Sequence, residues 1–160
     1  MLLESFVEYK ALYTDAGYAA TTPASDQVFE RLKEGPVWVA VHYEVIVGTA
    51  SAVRQGDRLY VRGMAVLPAA RGQRIGERLL ARIQRYAVEH NCNRMFLSTT
   101  PFLTAAIRLY EHFGFRRTLE GPHDLFGTPL FTMERITPAT SSQAENVERL
   151  VSLRRGQLPG

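Results

Sequence analysis

The stretch Arg71-Gly72-Gln73-Arg74-Ile75-Gly76-Glu77 lies between a β-rich run ending at Leu67 and a long helical pattern. The first turn of a helix leaves backbone N–H groups without internal partners, and the helix dipole makes that end electropositive. Glycines there remove side chains, so a phosphate could approach the amides directly; the same glycines equally suit a loop that only needs conformational freedom. Arg71, Arg74, Arg78, Arg82 and Arg85 fall within roughly 80° of arc at helical spacing. Near the helix start such a stripe favours anions, and further along it reads as a solvated face. A second stretch holds Tyr110 among the helically spaced Ala106, Ile107, Leu109 and Phe113. Tyr110 is either packed core or a positioned phenol, whose pKa of about 10 suits proton donation to a leaving group of similar or lower acidity.

The elements that must position these residues follow from periodicity. Leu2, Phe6, Tyr9 and Tyr13 mark an amphipathic helix, residues 14–25 read as a loop, and Asp26 caps a short helix stopped by Gly35-Pro36. Residues 37–41 and 45–50 form a hairpin turning near Tyr43-Glu44, and 58–67 add a third strand after the turn at 55–57. Helix 72–89, strand 95–99, helix 102–113 with Gly114 at its left-handed end, and strands 115–119 and 130–135 joined by a loop complete the order. The expected class is α/β with a central mixed, mostly antiparallel sheet flanked by helices. A single domain covers 1–136, and 137–160 is a tail with a modest helical stripe at Val147, Leu150 and Val151.

Composition excludes several classes. With 160 residues, 46% hydrophobic and 22% charged, the chain has the make-up of one globular domain. No apolar run approaches the ~20 residues of a membrane span, and the N-terminus lacks the basic region of a signal peptide. The single Cys92 fits a reducing, cytoplasmic compartment and reads as a packed thiol. His42, His90, His112 and His123 are too dispersed for a local metal motif, so no metal is expected. A net charge of +3 does not call for nucleic acid as a partner.

Met64-Ala65-Val66-Leu67-Pro68, then residues 71–76, then Leu109-Tyr110-Glu111-His112-Phe113-Gly114-Phe115 together resemble the GNAT superfamily of acyl-CoA-dependent N-acetyltransferases, over about 35–135. The resemblance implies an acetyl-CoA acyl donor and a small-molecule or peptide amine acceptor. It implies that Met64, Ala65 and Val66 hydrogen-bond the pantetheine arm, with the Val66 N–H donating to the thioester oxygen. Arg71, Gly72, Gln73, Arg74, Ile75 and Gly76 match the family's pyrophosphate motif, with the collar of amides running on to Glu77. Tyr110 matches the tyrosine that serves as acid for the CoA thiolate.

The sequence departs from the family at several positions. Arg74 stands where relatives carry the middle glycine, and binding is expected to persist if the backbone there stays helical. Leu103 replaces a CoA-contacting asparagine, and Ser98 stands where some relatives have a glutamate base. Glu120, His123 and Asp124 are the remaining base candidates, and Tyr13, Tyr18, Phe29, His123 and Phe126 are offered to the acceptor pocket. The chain opens within a helical pattern where the family begins with a strand, so either the sequence starts downstream of the true beginning or the first strand is missing. Its edge would then be covered by residues 136–158 or by a second copy in a homodimer. A non-catalytic acyl-CoA-binding module is the alternative to an enzyme.

Overall fold

A computed structural model describes residues 1–138. Helix α1 (Leu2–Phe6) runs into a 3-10 helix (Val7–Leu12), followed by α2 (Asp15–Thr21) and α3 (Ser25–Glu34). A meander of β1 (Val37–His42), β2 (Val45–Gln55) and β3 (Arg58–Val66) leads through a 3-10 turn (Pro68–Ala70) to α4 (Ile75–Glu89) and β4 (Arg94–Thr99). The rest comprises α5 (Thr104–His112), β5 (Arg116–Arg117), a small hairpin of β6 (Asp124–Leu125) and β7 (Thr128–Pro129), and β8 (Phe131–Ile136).

Six strands form one sheet in the order β1-β2-β3-β4-β8-β5. Among the described residues only β3 and β4 run parallel, because α4 carries the chain across between them. The sheet is therefore mixed and mostly antiparallel, as the sequence implies. Tyr43 and Glu44, at φ 46° and 64°, make the two-residue turn whose twist matches its flanking strands. Helix α4 lays Leu79, Leu80, Ile83 and Ala87 on Ala50, Ala52, Leu59, Val61, Met95 and Leu97 to form the core. Small residues let it sit close: a Cβ at Gly48 would lie 2.8 Å from Ile75 Cγ2. Tyr110, Phe115, Phe131 and Met133 extend the same core toward α5 and β8.

Local periodicity misplaces several boundaries. The opening helix breaks at Phe6 (φ −115°, ψ −3°) and continues as a 3-10 helix. That tighter winding stacks residues three apart, which keeps Phe6 and Tyr9 on one line. Residues 14–25 are not simply a loop: α2 forms there because Thr14 Oγ1 accepts the Gly17 N–H at 3.1 Å. Thr14 is also anchored to Thr128 and Phe126, more than a hundred positions away. Helix α3 begins after Ala24, whose N–H donates to Gln27 Oε1 at 3.0 Å, so Asp26 sits inside the first turn and not at its cap. Strand 115–119 shrinks to two residues, and part of the loop before β8 pairs as β6–β7, turning on Phe126 and Gly127 at positive φ.

Among the described residues no strand pairs with the outer side of β1, where Val39 and Val41 are 50% and 58% exposed. The helical stripe expected at 147–151 lies outside the described residues. No described helix is long and apolar enough to cross a membrane.

Candidate active site

Strands β3 and β4 pair only where Arg58–Tyr60 meets Arg94–Phe96, yet β3 runs on to Val66 and β4 to Thr99. Their C-terminal ends therefore part. The cause is visible in β3. Thr49 opposes Ala65 and Ser51 opposes Arg62, so Ala50 faces both Gly63 and Met64 across a β-bulge. Gly63 has φ +60°, the left-handed conformation a glycine adopts without strain. A bulge bends its strand and increases the local twist, which here opens the sheet. The Leu67 N–H turns toward β2, donating to the Val47 carbonyl at 2.9 Å. Backbone groups alternate along an extended strand, so those of Val66 and Met64 turn into the gap.

The helix start beside this gap is built from two left-handed residues, Gly72 at φ +78° and Arg74 at φ +60°. Arg74 is the N-cap of α4 and not a helical residue, contrary to the expectation at this position. The helical bonds begin with Arg78 N–H to the Arg74 carbonyl at 3.1 Å. The amides of Ile75, Gly76 and Glu77 precede it and have no acceptor within the helix. Arginine at a glycine conformation is strained by about 1–2 kcal/mol. Its side chain recovers part of that by pairing with Glu77 at 2.8 Å, an exposed contact of small value. Arg74→Gly is expected to raise stability by about 0.5–1 kcal/mol, or about 1–4 °C in melting temperature. A fall in melting temperature would show that the ion pair outweighs the strain.

Arg71 acts differently from the stripe expected of it. Its guanidinium pairs with Glu8, donates to the Ser5 carbonyl at 3.0 Å and reaches the Val66 carbonyl at 3.4 Å. It ties the N-terminal helices to the end of β3. Arg82, further along α4, lies 5.8 Å from the Trp38 ring.

Two cavities meet at the gap. The first, about 330 Å3, lies between the backbone of 64–66, the helix start of 71–76 and α5. Of the residues at that start, Arg71, Gly72, Arg74, Ile75, Gly76 and Glu77 line it, whereas Gln73 is exposed outside the lining set. The second, about 270 Å3, lies on the other side of the open sheet, lined by Tyr13, Arg31, Tyr60, Arg62, Ser98 and Thr100 among others. Phe6, Met64, Leu103 and Tyr110 line both. Tyr110 is 7% exposed, and burial, with Tyr13 adding to it, pushes its phenol well above the usual tyrosine range. The hydroxyl therefore stays protonated and keeps a proton to donate. Residues from separate elements thus put a strand edge, a collar of free amides and a neutral phenol around one opening.

The acetyltransferase (GNAT) family matches this chain over residues 4–115. The chain belongs to that family. Its relatives include the uncharacterized N-acetyltransferase YjgM of Escherichia coli K12, 34% identical over 110 residues, 65% of this chain and 66% of that protein. The human N-acetylaspartate synthetase is 33% identical over 102 residues, 62% of this chain and 34% of that protein. The chain thus spans just under two thirds of the first relative and about a third of the second. Among solved structures, the PaiA N-acetyltransferase of Thermoplasma acidophilum in complex with coenzyme A has a TM-score of 0.69 at 14% identity, covering 84% of this chain and 87% of that one. At that identity the likeness is one of fold.

Against this GNAT frame the remaining sequence candidates sort cleanly. Met64, Ala65, Val66 and Tyr110 all reach the opening, and Ser98 lines the second cavity. Glu120, His123 and Asp124 are exposed outside both linings, and Asp124 Oδ1 accepts the Gly127 N–H at 3.0 Å. Phe29 and Phe126 are each 66% exposed and line neither cavity, and Tyr18 packs edge-on against Tyr13. Cys92 is 2% exposed in the core. Among the described residues no three His, Cys, Asp or Glu side chains gather as a metal site. Three residues escaped the sequence reading. Gly63 is a glycine inside a strand pattern, which is itself a signal of a bulge. Arg62 and Arg31 gave no local signal, since only the fold brings them together.

Proposed function

We propose that this protein is an N-acetyltransferase moving an acetyl group from acetyl-CoA to a primary amine by direct attack in a ternary complex. The observation that carries the reading is the meeting of two cavities at Met64 and Tyr110, across a sheet opened by the bulge at Gly63. The first cavity suits the acyl donor. Free amides at 75–77 and the loop at 72–74 suit its diphosphate, and the open edge of 64–66 suits its extended amide-bearing arm. The second cavity suits the amine. Four relatives are named for N-acetylaspartate, an N-acetylated amino acid, which places amino acids among the acceptors to be tried.

Mechanism follows from what lines the opening. A neutral amine attacks the thioester carbonyl, and charge builds on its oxygen, where the fixed Val66 N–H stabilises the tetrahedral intermediate. Collapse breaks the C–S bond. The Tyr110 phenol, held neutral by burial, donates a hydrogen bond to the departing thiolate. A phenol with so raised a pKa is a weak acid, so the thiolate's proton comes finally from the ammonium-derived N–H released on amide formation. Holding both reactants in adjoining cavities removes the need for a second encounter.

Among the described residues no carboxylate or histidine lines the second cavity, so on this reading water takes the proton from the acceptor ammonium. kcat/KM is therefore expected to rise about tenfold per pH unit below the acceptor's own pKa. A plateau well below that pKa would reveal a protein base. The reading as a whole is tested by thiol release from acetyl-CoA across a panel of amines. Release with an acetylated product supports it. Thermal stabilisation by CoA with no release from any amine would make the protein a binding module instead.

A further inference from the structure

We propose that the acceptor amine carries a carboxylate, and that Arg62 with Arg31 receives it in the second cavity. The inference rests on the transferase reading and names the substrate class of its acceptor site. Alternation along β3 sends Leu59 and Val61 into the core and Tyr60 and Arg62 to the opposite face, where the second cavity lies. A guanidinium has five N–H donors in a fixed fork, and those out of water need acceptors. The Nε and Nη2 atoms of Arg62 are buried without one. Glu34 stands 2.7 Å from Nη2 as an ion-pair partner, off the line of its N–H bonds. Nε and Nη2 form one edge of the fork, closed to solvent as folded, so a carboxylate takes its two parallel bonds once the guanidinium turns that edge into the cavity.

Charge and neighbouring donors point the same way. Arg31 also lines the cavity and donates to the Ala20 carbonyl at 3.1 Å. Burial, with Arg62 beside it, pulls the Arg31 pKa down, while Glu34 opposes the shift. Two guanidiniums facing one carboxylate leave a single positive charge unbalanced, matching a monoanionic group and not a phosphate dianion. Tyr13 and Thr100 line the same cavity, their buried hydroxyls interacting with each other. Met64, where the two cavities meet, is two residues along β3 from Arg62, and the bulge at Gly63 brings them closer than the roughly 7 Å of a regular strand. An amine at Met64 and a carboxylate at Arg62 thus fit within one small molecule, and a volume of about 270 Å3 holds one of amino-acid size.

The test pairs amino acids with their own carboxamides in the thiol-release assay: glycine, β-alanine, γ-aminobutyrate, aspartate and glutamate. At least one acid is expected to be acetylated with kcat/KM about 10- to 100-fold above its amide, the range for a charge-assisted pair. Arg62→Gln is expected to erase that ratio chiefly through KM, with Arg62→Lys restoring part of it. Arg31→Gln gives an independent reading should Arg62→Gln fail to fold, and is expected to lower the ratio as well. Amides acetylated as well as acids, or a ratio untouched in the folded variants, would overturn the inference alone. No thiol release with any amine would overturn the transferase reading, and the inference with it.

Discussion

A Gly76→Glu protein is expected to bind acetyl-CoA at least a hundredfold more weakly than the parent while melting within a few degrees of it. Gly76 occupies the first turn of α4 and lines the donor cavity. A Cβ there would lie 2.6 Å from Leu109 Cδ2 and 3.5 Å from Met64 Cε, between α5 and the open edge of β3. The Leu109 contact is with the far end of a flexible side chain, so a methyl group is absorbed by a small shift. The carboxylate of glutamate is different. It projects into the cavity beside amides whose electropositive field is what would attract a diphosphate. Like charges at that range, in a partly desolvated site, and the loss of charge-assisted bonds each weaken binding by about 1.5–3 kcal/mol. Gly76→Ala controls for bulk and is expected to retain affinity within about tenfold. Calorimetric titration with acetyl-CoA checks both variants, and normal affinity in the glutamate variant would place the diphosphate elsewhere.

Tyr110→Phe is expected to lower kcat by about 10- to 100-fold and to leave the KM for acetyl-CoA within about twofold. The substitution removes one hydroxyl and keeps the ring, which packs 6.0 Å from Phe115 in the core. In the proposed mechanism the buried, neutral phenol acts through a hydrogen bond to sulfur as negative charge develops. That bond is stronger in the transition state than with the intact thioester, so the loss falls on kcat and not on donor binding. Steady-state kinetics at saturating acceptor decide the matter. An unchanged kcat would reduce Tyr110 to core packing.

Much of this architecture was legible from local pattern. Alternation in 37–66 gave the meander, the long apolar face of α4 gave the helix that fills the core, and Gly114 closes α5 at φ +96° as its position implies. The positions matching the pyrophosphate motif also lie where a helix start would place them. What stayed hidden depends on partners distant in sequence. Arg71 reads as part of an anion-favouring stripe because Glu8, 63 residues earlier, cannot be paired with it from spacing. Thr14 caps α2 only with Thr128 and Phe126 beside it. Arg62 reads as one of many arginines until α3 brings Arg31 and Glu34 across the sheet face. The conformation of Arg74 was misread because an arginine carries no local signal for positive φ, where a glycine would have.

The claim on which the account rests is that the amides opening α4 grip a diphosphate while the parted edge of β3 holds the arm attached to it. Amide-resolved NMR of the protein titrated with CoA tests that claim directly. The predicted result is saturable one-to-one binding, with the largest shifts at residues 72–77 and 64–66. Saturation that leaves those amides unmoved, or no binding at millimolar CoA, would contradict it.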